Sequence, residues 1–325
     1  MTKKTLLIGD IGGTNARFAE ANSEYTSFDK VVNLKCTDFS SADDAIRYYL
    51  DKICTTSPDV ICLAAAGPII SDTIQVTNNH WKLDAEVLKK DFNINRVRLL
   101  NDFEAAAYSI TQFKESDLQP LGPLHAVCLP SDEFNVAIIG AGTGFGAAGL
   151  VCSENTIIPV VGEGGHISFA PNSKIQTEIF KVLKNNYDRV IVERLVSGPG
   201  IENIYTSLAL IHNEECRSLT AKEIFEKAQA DSDLRAVESV NIFFEILGQL
   251  AGDIALCMGA RDGIFLAGGI VKRYPELLMQ SKFRNAFESK GRQRPYMERI
   301  PTMLVTHNNP GLLGAAYCAL NLSLD

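Results

Sequence analysis

One pattern in this chain limits its fold more than any other, and it occurs twice. An apolar strand candidate, Lys4 to Gly9, meets the tight turn Asp10-Ile11-Gly12-Gly13-Thr14 and returns as a second strand, Asn15 to Ala21. The segment Val136-Ala137-Ile138-Ile139-Gly140-Ala141-Gly142-Thr143-Gly144-Phe145-Gly146 repeats strand and turn, and the chain again returns as a strand through Val151. Gly9 and Gly140 stand 131 residues apart. Matching glycine hairpins at the head of two halves predict a duplicated α/β domain with a ligand between the copies. The repeats share little beyond their glycines, so two unrelated hairpins are the competing reading. A length of 325 residues also favours two lobes over one core.

The intervening sequence supports an α/β class. After a strand candidate at Val31 to Cys36, Ser40 or Ser41 can cap a helix whose apolar positions Ala42, Ala45, Ile46, Tyr49, Leu50 and Ile53 share one face. Asp59 to Ala66 reads as a buried strand, Asp84 to Phe92 as a helix, Arg96 to Leu100 as a strand and Phe103 to Ile110 as a helix. The second half continues with helices at Lys174 to Tyr187, Ile201 to Ile211, Thr220 to Ala230 and Ser232 to Met258, then a strand at Gly263 to Ala267. Pro310 opens a last helix that carries Gly311, Gly314, Ala315 and Ala319. The small faces of that helix and of Glu104 to Ala107 suit either a hinge or close static packing.

Composition removes several classes. With 31 basic and 39 acidic residues the net charge is −8, which argues against a general binder of nucleic acid or anionic membrane. No run reaches the roughly 18–20 uninterrupted apolar residues of a membrane span, and the first apolar run stops at Asp10. The eight cysteines, at 36, 54, 62, 128, 152, 216, 257 and 318, show no metal-ligand spacing and read as free thiols of a cytoplasmic protein.

Six motifs can carry chemistry. On the first turn, glycines let backbone N–H groups approach phosphate oxygens, and Asp10 at the strand end can hold a hydrated magnesium ion. No G-K-[ST] follows, so this is not a Walker A loop. On the second turn, Gly142-x-Gly144-x-x-Ala147 imitates a dinucleotide fingerprint, but Ala147 onward continues as a strand where that fingerprint opens a helix. A third turn, Ala267-Gly268-Gly269, can line a base or ribose. Asn101-Asp102 ends a strand and begins a helix; it reads as an N-cap, as a carboxylate able to take a hydroxyl proton, or as both. Glu163-Gly164-Gly165-His166 suits hydroxyl recognition better than metal binding. Taken alone, Glu193 reads as a surface glutamate ahead of the cap Ser197-Gly198-Pro199-Gly200.

Together, Gly9 to Arg17, Leu100 to Glu104, Gly140 to Gly144, Gly162 to His166, Glu193 to Gly200 and Leu266 to Gly269 resemble the bacterial glucokinases from near residue 5 to near residue 320. That resemblance implies the hexokinase/actin-like fold, with two ribonuclease-H-like lobes around a cleft. It places a small lobe at 1–112 plus 303–325 and a large one at 113–302. It implies a homodimer that phosphorylates glucose at its 6-hydroxyl with ATP and Mg2+, the first step of glycolysis. Carried over residue by residue, the glucose ligands are Asn101, Asp102, Glu163, His166 and Glu193, with Asp102 the catalytic base. The nucleotide side comprises Gly9, Asp10, Ile11, Gly12, Gly13, Thr14, Thr143, Gly268 and Gly269, with Asp10 near magnesium through water. The cysteine-rich zinc motif of the related repressor–kinase family is absent after His166, and Gly9 is reached too early for a preceding helix-turn-helix. A kinase for mannose or glucosamine, a catalytically silent sugar sensor and a nicotinamide oxidoreductase are the competing readings.

Overall fold

The structure is a computed structural model and describes residues 4–54, 57–123, 129, 132–215 and 217–324. Cys128 and Cys216 lie outside these residues; the other six cysteines are free thiols. The chain divides into two compact units, one running to Glu115 and resuming at His307, the other spanning Ser116–Thr306. The resemblance placed the second boundary at 302/303. Thr302–Val305 is instead a strand paired inside the second unit's sheet, which holds it there.

In the first unit the strands are β1 (Leu6–Ile11), β2 (Asn15–Ala21), β3 (Phe28–Lys35), β4 (Val60–Ala65), β5 (Ile69–Ile70), β6 (Thr73–Gln75), β7 (Lys82–Asp84) and β8 (Val97–Asn101). The main sheet has the order β3-β2-β1-β4-β8, and β5-β6-β7 form a small sheet beside it. The first three strands of the main sheet meander antiparallel, while β4 and β8 run parallel to β1. Alternation along β1 builds the two faces. Leu7 and Ile11 point to a core with Phe18, Ile46, Tyr49 and Trp81. Leu6 and Ile8 point to a core with Leu312, Ala315 and Ala319 of the C-terminal helix Pro310–Leu324.

The second unit holds β9 (Leu118–Pro120), β10 (Glu133–Ala141), β11 (Phe145–Ser153), β12 (Thr156–Gly162), β13 (Gly263–Ala267) and β14 (Thr302–Val305), in the order β12-β11-β10-β13-β14-β9. Its β12-β11-β10 meander is antiparallel and β13 and β14 run parallel to β10, the pattern of the first sheet with β9 added at one edge. The two sheets therefore share one topology, which supports duplication over coincidental hairpins. Helix Leu234–Met258 is long and apolar enough to cross a bilayer by length and composition. However, 72% of its most apolar window is buried inside the protein, among Phe225, Phe287 and Leu208.

Candidate active site

Parallel strands deliver their carboxyl ends to one side of a sheet, and ligand crevices form there. In the first unit Ile11, Ala65 and Asn101 stand side by side across β1, β4 and β8, so the turn after β1 and the helix after β8 open on the same edge. The turn closes when the Gly12 N–H donates to the Asn15 carbonyl at 2.9 Å. Asn79 Nδ2 donates to the Gly12 carbonyl at 3.4 Å and holds the loop from beneath. The N–H groups of Gly13 and Thr14 and the Thr14 hydroxyl have no partner among the described residues, and Thr14 is exposed. Such unpaired donors at a turn suit phosphate oxygens.

Asp10 precedes this turn, and Arg17 Nη1 lies 3.4 Å from its Oδ2 across the β1–β2 pair. Burial pushes the Asp10 carboxyl above the usual carboxylate range, and the Arg17 guanidinium offsets only part of that rise. On its other side, a Cβ on Gly311 would lie 2.9 Å from the Asp10 Cγ, so the first turn of the C-terminal helix packs directly on the carboxylate. Magnesium commonly takes one or two carboxylates plus phosphate oxygens and water. A single partly buried carboxylate beside unpaired N–H donors fits that arrangement. Among the described residues, no group of three or more His, Cys, Asp or Glu could cage a metal.

Asn101 is both the last residue of β8 and the N-cap of helix Asp102–Ser109. Its Oδ1 accepts from the N–H groups of Phe103 (2.9 Å) and Glu104 (3.3 Å), and its Nδ2 donates to the Gly67 carbonyl at 3.0 Å. One Nδ2 hydrogen remains for a ligand. Asp102, the first helical residue, is partly exposed, and its Oδ1 accepts from the Phe103 N–H at 3.0 Å. Buried Glu104 completes a capping box, with Oε2 on the Asn101 N–H and Oε1 on Arg98 at 3.1 Å. The spacing Asn-x-x-Glu was readable in the sequence and was missed. The Arg17–Asp10 pair was not readable, because strand register is not visible in residue order.

In the second unit the turn after β10 closes with Gly142 N–H to the Gly144 carbonyl at 2.8 Å and leaves Thr143 exposed at its tip. Glu193 is no plain surface residue. Its Oε2 accepts from the Phe145 N–H at 2.9 Å, and a Cβ on Gly144 would fall 2.5 Å from that oxygen, so a larger residue there would push the Glu193 carboxylate aside. The cap Ser197 donates its hydroxyl to the Glu193 carbonyl at 2.7 Å. The short 3-10 turn Gly164–His166 packs on the same place, its Gly165 facing both Glu193 Oε2 and the Phe145 carbonyl. Glu163 and His166, at the edges of that turn, are exposed. Gly268 and Gly269 are exposed where β13 ends, with Gly268 against the Ala141 backbone. The structure therefore groups Asp10, the first turn, Asn101 and Asp102 within one unit. Within the other it groups Thr143, Glu163, His166, Glu193 and Gly268.

Comparison with known proteins identifies the family. The family model "Glucokinase" matches residues 7–322. A glucokinase of Caulobacter sp. (strain K31) is 42% identical over 312 residues, covering 95% of this chain and 93% of that protein. The crystal structure of a glucokinase from an Antarctic psychrotroph is 33% identical, with a TM-score of 0.87 over 98% of this chain and 99% of that one. A ROK-family glucokinase from Streptomyces griseus, solved with glucose and AMPPNP, shares the fold at a TM-score of 0.66 and 20% identity, covering 98% of this chain and 99% of that one. Family match, identity and shared fold all extend over nearly the whole length: the chain belongs to the glucokinase family.

Proposed function

We infer that this protein transfers the γ-phosphoryl group of ATP to the 6-hydroxyl of D-glucose, giving glucose 6-phosphate and ADP, the entry step of glycolysis. The observation that carries this reading is the family match over residues 7–322, which includes every turn and carboxylate described above. Asn101, Asp102, Glu163, His166 and Glu193 are the glucose ligands. Asp102 takes the proton of the 6-hydroxyl as the O6–P bond forms and the bond from phosphorus to the β,γ-bridging oxygen breaks. Phosphoryl transfer has a loose transition state, so the chain contributes chiefly alignment and charge stabilisation. Gly9 to Thr14 and Thr143 present hydrogen-bond donors to the phosphates, and Gly268 and Gly269 line the nucleoside. Asp10 would hold Mg2+ through water, and the ion would neutralise phosphate charge.

A homodimer is part of the same reading. The edge strand β12 supports it, because Ile158, Val160 and Val161 are each about half exposed there. The six free thiols suit a reducing, cytoplasmic setting. Product analysis tests the reaction. With glucose and Mg·ATP, 31P–1H correlation spectra should show a phosphate ester coupled to the C6 protons. Coupling to any other carbon, or inorganic phosphate as the sole product, would overturn the assignment.

A further inference from the structure

We propose that Glu104 is a positioning residue for the transfer step, holding the base in place by keeping Asn101 in the cap of its helix. The inference rests on Asp102 being the base. Helix Asp102–Ser109 is only eight residues long, so its first turn depends on its cap. Two side chains compete to supply that cap. The Phe103 N–H lies 2.9 Å from Asn101 Oδ1 and 3.0 Å from Asp102 Oδ1. While Asn101 holds the cap, the Asp102 carboxylate shares that donor and keeps acceptor capacity for a substrate hydroxyl. If Asn101 leaves, Asp102 is the remaining acceptor beside the open helix end, and capping draws it away from the sugar.

Glu104 prevents this from two sides. Its Oε2 fixes the Asn101 backbone N–H at 3.3 Å, and its Oε1 is fixed by Arg98 Nη2 at 3.1 Å. The side chain is 5% exposed, whereas that of Arg98 is 54% exposed, so a solvent-facing guanidinium pairs a carboxylate that is otherwise costly to bury. Charge-assisted bonds of this kind are stronger than neutral ones, which suits an anchor two residues from the base. Asn101 is further tied to the Gly67 carbonyl, two residues past the end of the neighbouring strand β4. Glu104 touches neither sugar nor nucleotide in this account and acts only through Asn101 and Asp102.

The test compares Glu104→Ala, Glu104→Gln, Arg98→Met and Asp102→Asn with the parent, each at equal folded concentration and well below its melting temperature. Glu104→Ala should lower kcat by about tenfold to a hundredfold, as small misplacements of reacting groups do, with the ATP KM unchanged. Glu104→Gln, whose carbonyl oxygen still accepts the Asn101 N–H, should recover most of that loss. Arg98→Met keeps the capping box and should lower kcat several-fold; it carries the test if Glu104→Ala does not fold. Unchanged kcat in Glu104→Ala, or in Arg98→Met where that variant stands in, with only a lower melting temperature, would make Glu104 merely structural. Near-normal kcat in Asp102→Asn would remove the base reading on which the proposal stands, whatever the Glu104 variants do.

Discussion

Asp10 is held in the fold against its own preference. Burial raises its pKa and Arg17 only partly opposes the rise, so the ionised form is disfavoured in the native state. An acid raised in this way contributes stability that is complete below the ordinary carboxylate pKa and is lost as pH climbs through the folded value. Asp10→Asn should therefore melt at or above the parent temperature at pH 8 without ligands, and the difference should shrink toward pH 4. Phosphoryl transfer by the same variant should fall by orders of magnitude, the usual trade of stability for function at a strained site. Thermal melts at the two pH values check the first half; a variant that melts well below the parent at pH 8 would contradict it. Residue-level chemistry was only partly legible in sequence. Asn101 and Asp102 could be placed at a strand-to-helix junction from the local pattern alone. Glu193 could not be distinguished from a surface glutamate, because its partner, the Phe145 N–H, lies 48 residues away.

Secondary-structure elements were legible where local pattern determines them. Ser41, one of the two caps the sequence offers, caps its helix through the Asp44 N–H; Asp84, read as the first helical residue, is instead the cap of Ala85–Phe92, and Leu234–Met258 ends at Gly259 in a left-handed conformation. Strands β5, β6, β7, β9, β12 and β14 escaped notice: all but β12 are two to four residues long, and β9 and β14 pair with each other from distant parts of the chain. The lean helices have a definite arrangement. Both lie in the first unit, and a Cβ on Gly314 would fall 1.7 Å from the Ala105 carbonyl oxygen. Backbone therefore lies on backbone there, which is the close-packing reading of the two small faces. Gly314→Ala should force these helices apart and cost about 3 kcal/mol or more, at the upper end of overpacking penalties. Urea unfolding would read this as a lower midpoint, and a midpoint equal to the parent's would contradict the packing. The same helix carries Gly311 against Asp10, so its displacement would also disturb the nucleotide side.

The whole molecule repeats one topology. A glycine turn joins the first two strands of an antiparallel meander, two parallel strands follow, and the candidate site residues gather where the parallel strands end. The 131-residue offset of the two turns was visible in the sequence because glycine spacing is local. Strand order was not, because parallel pairing between β10 and β13 spans more than a hundred residues. Of the residues proposed for the chemistry, Asn101, Asp102 and one glycine turn lie in the first unit, and Glu163, His166, Glu193 and the other turn lie in the second. The measurement that tests this most directly is ADP release from Mg·ATP with and without glucose, for the parent and for Asp102→Asn at equal folded concentration. The account predicts glucose-dependent turnover by the parent and a loss of about 10²–10⁴-fold in the variant, the range of a missing general base. A parent that releases no ADP in response to glucose, or a variant that keeps the parent rate, would contradict it.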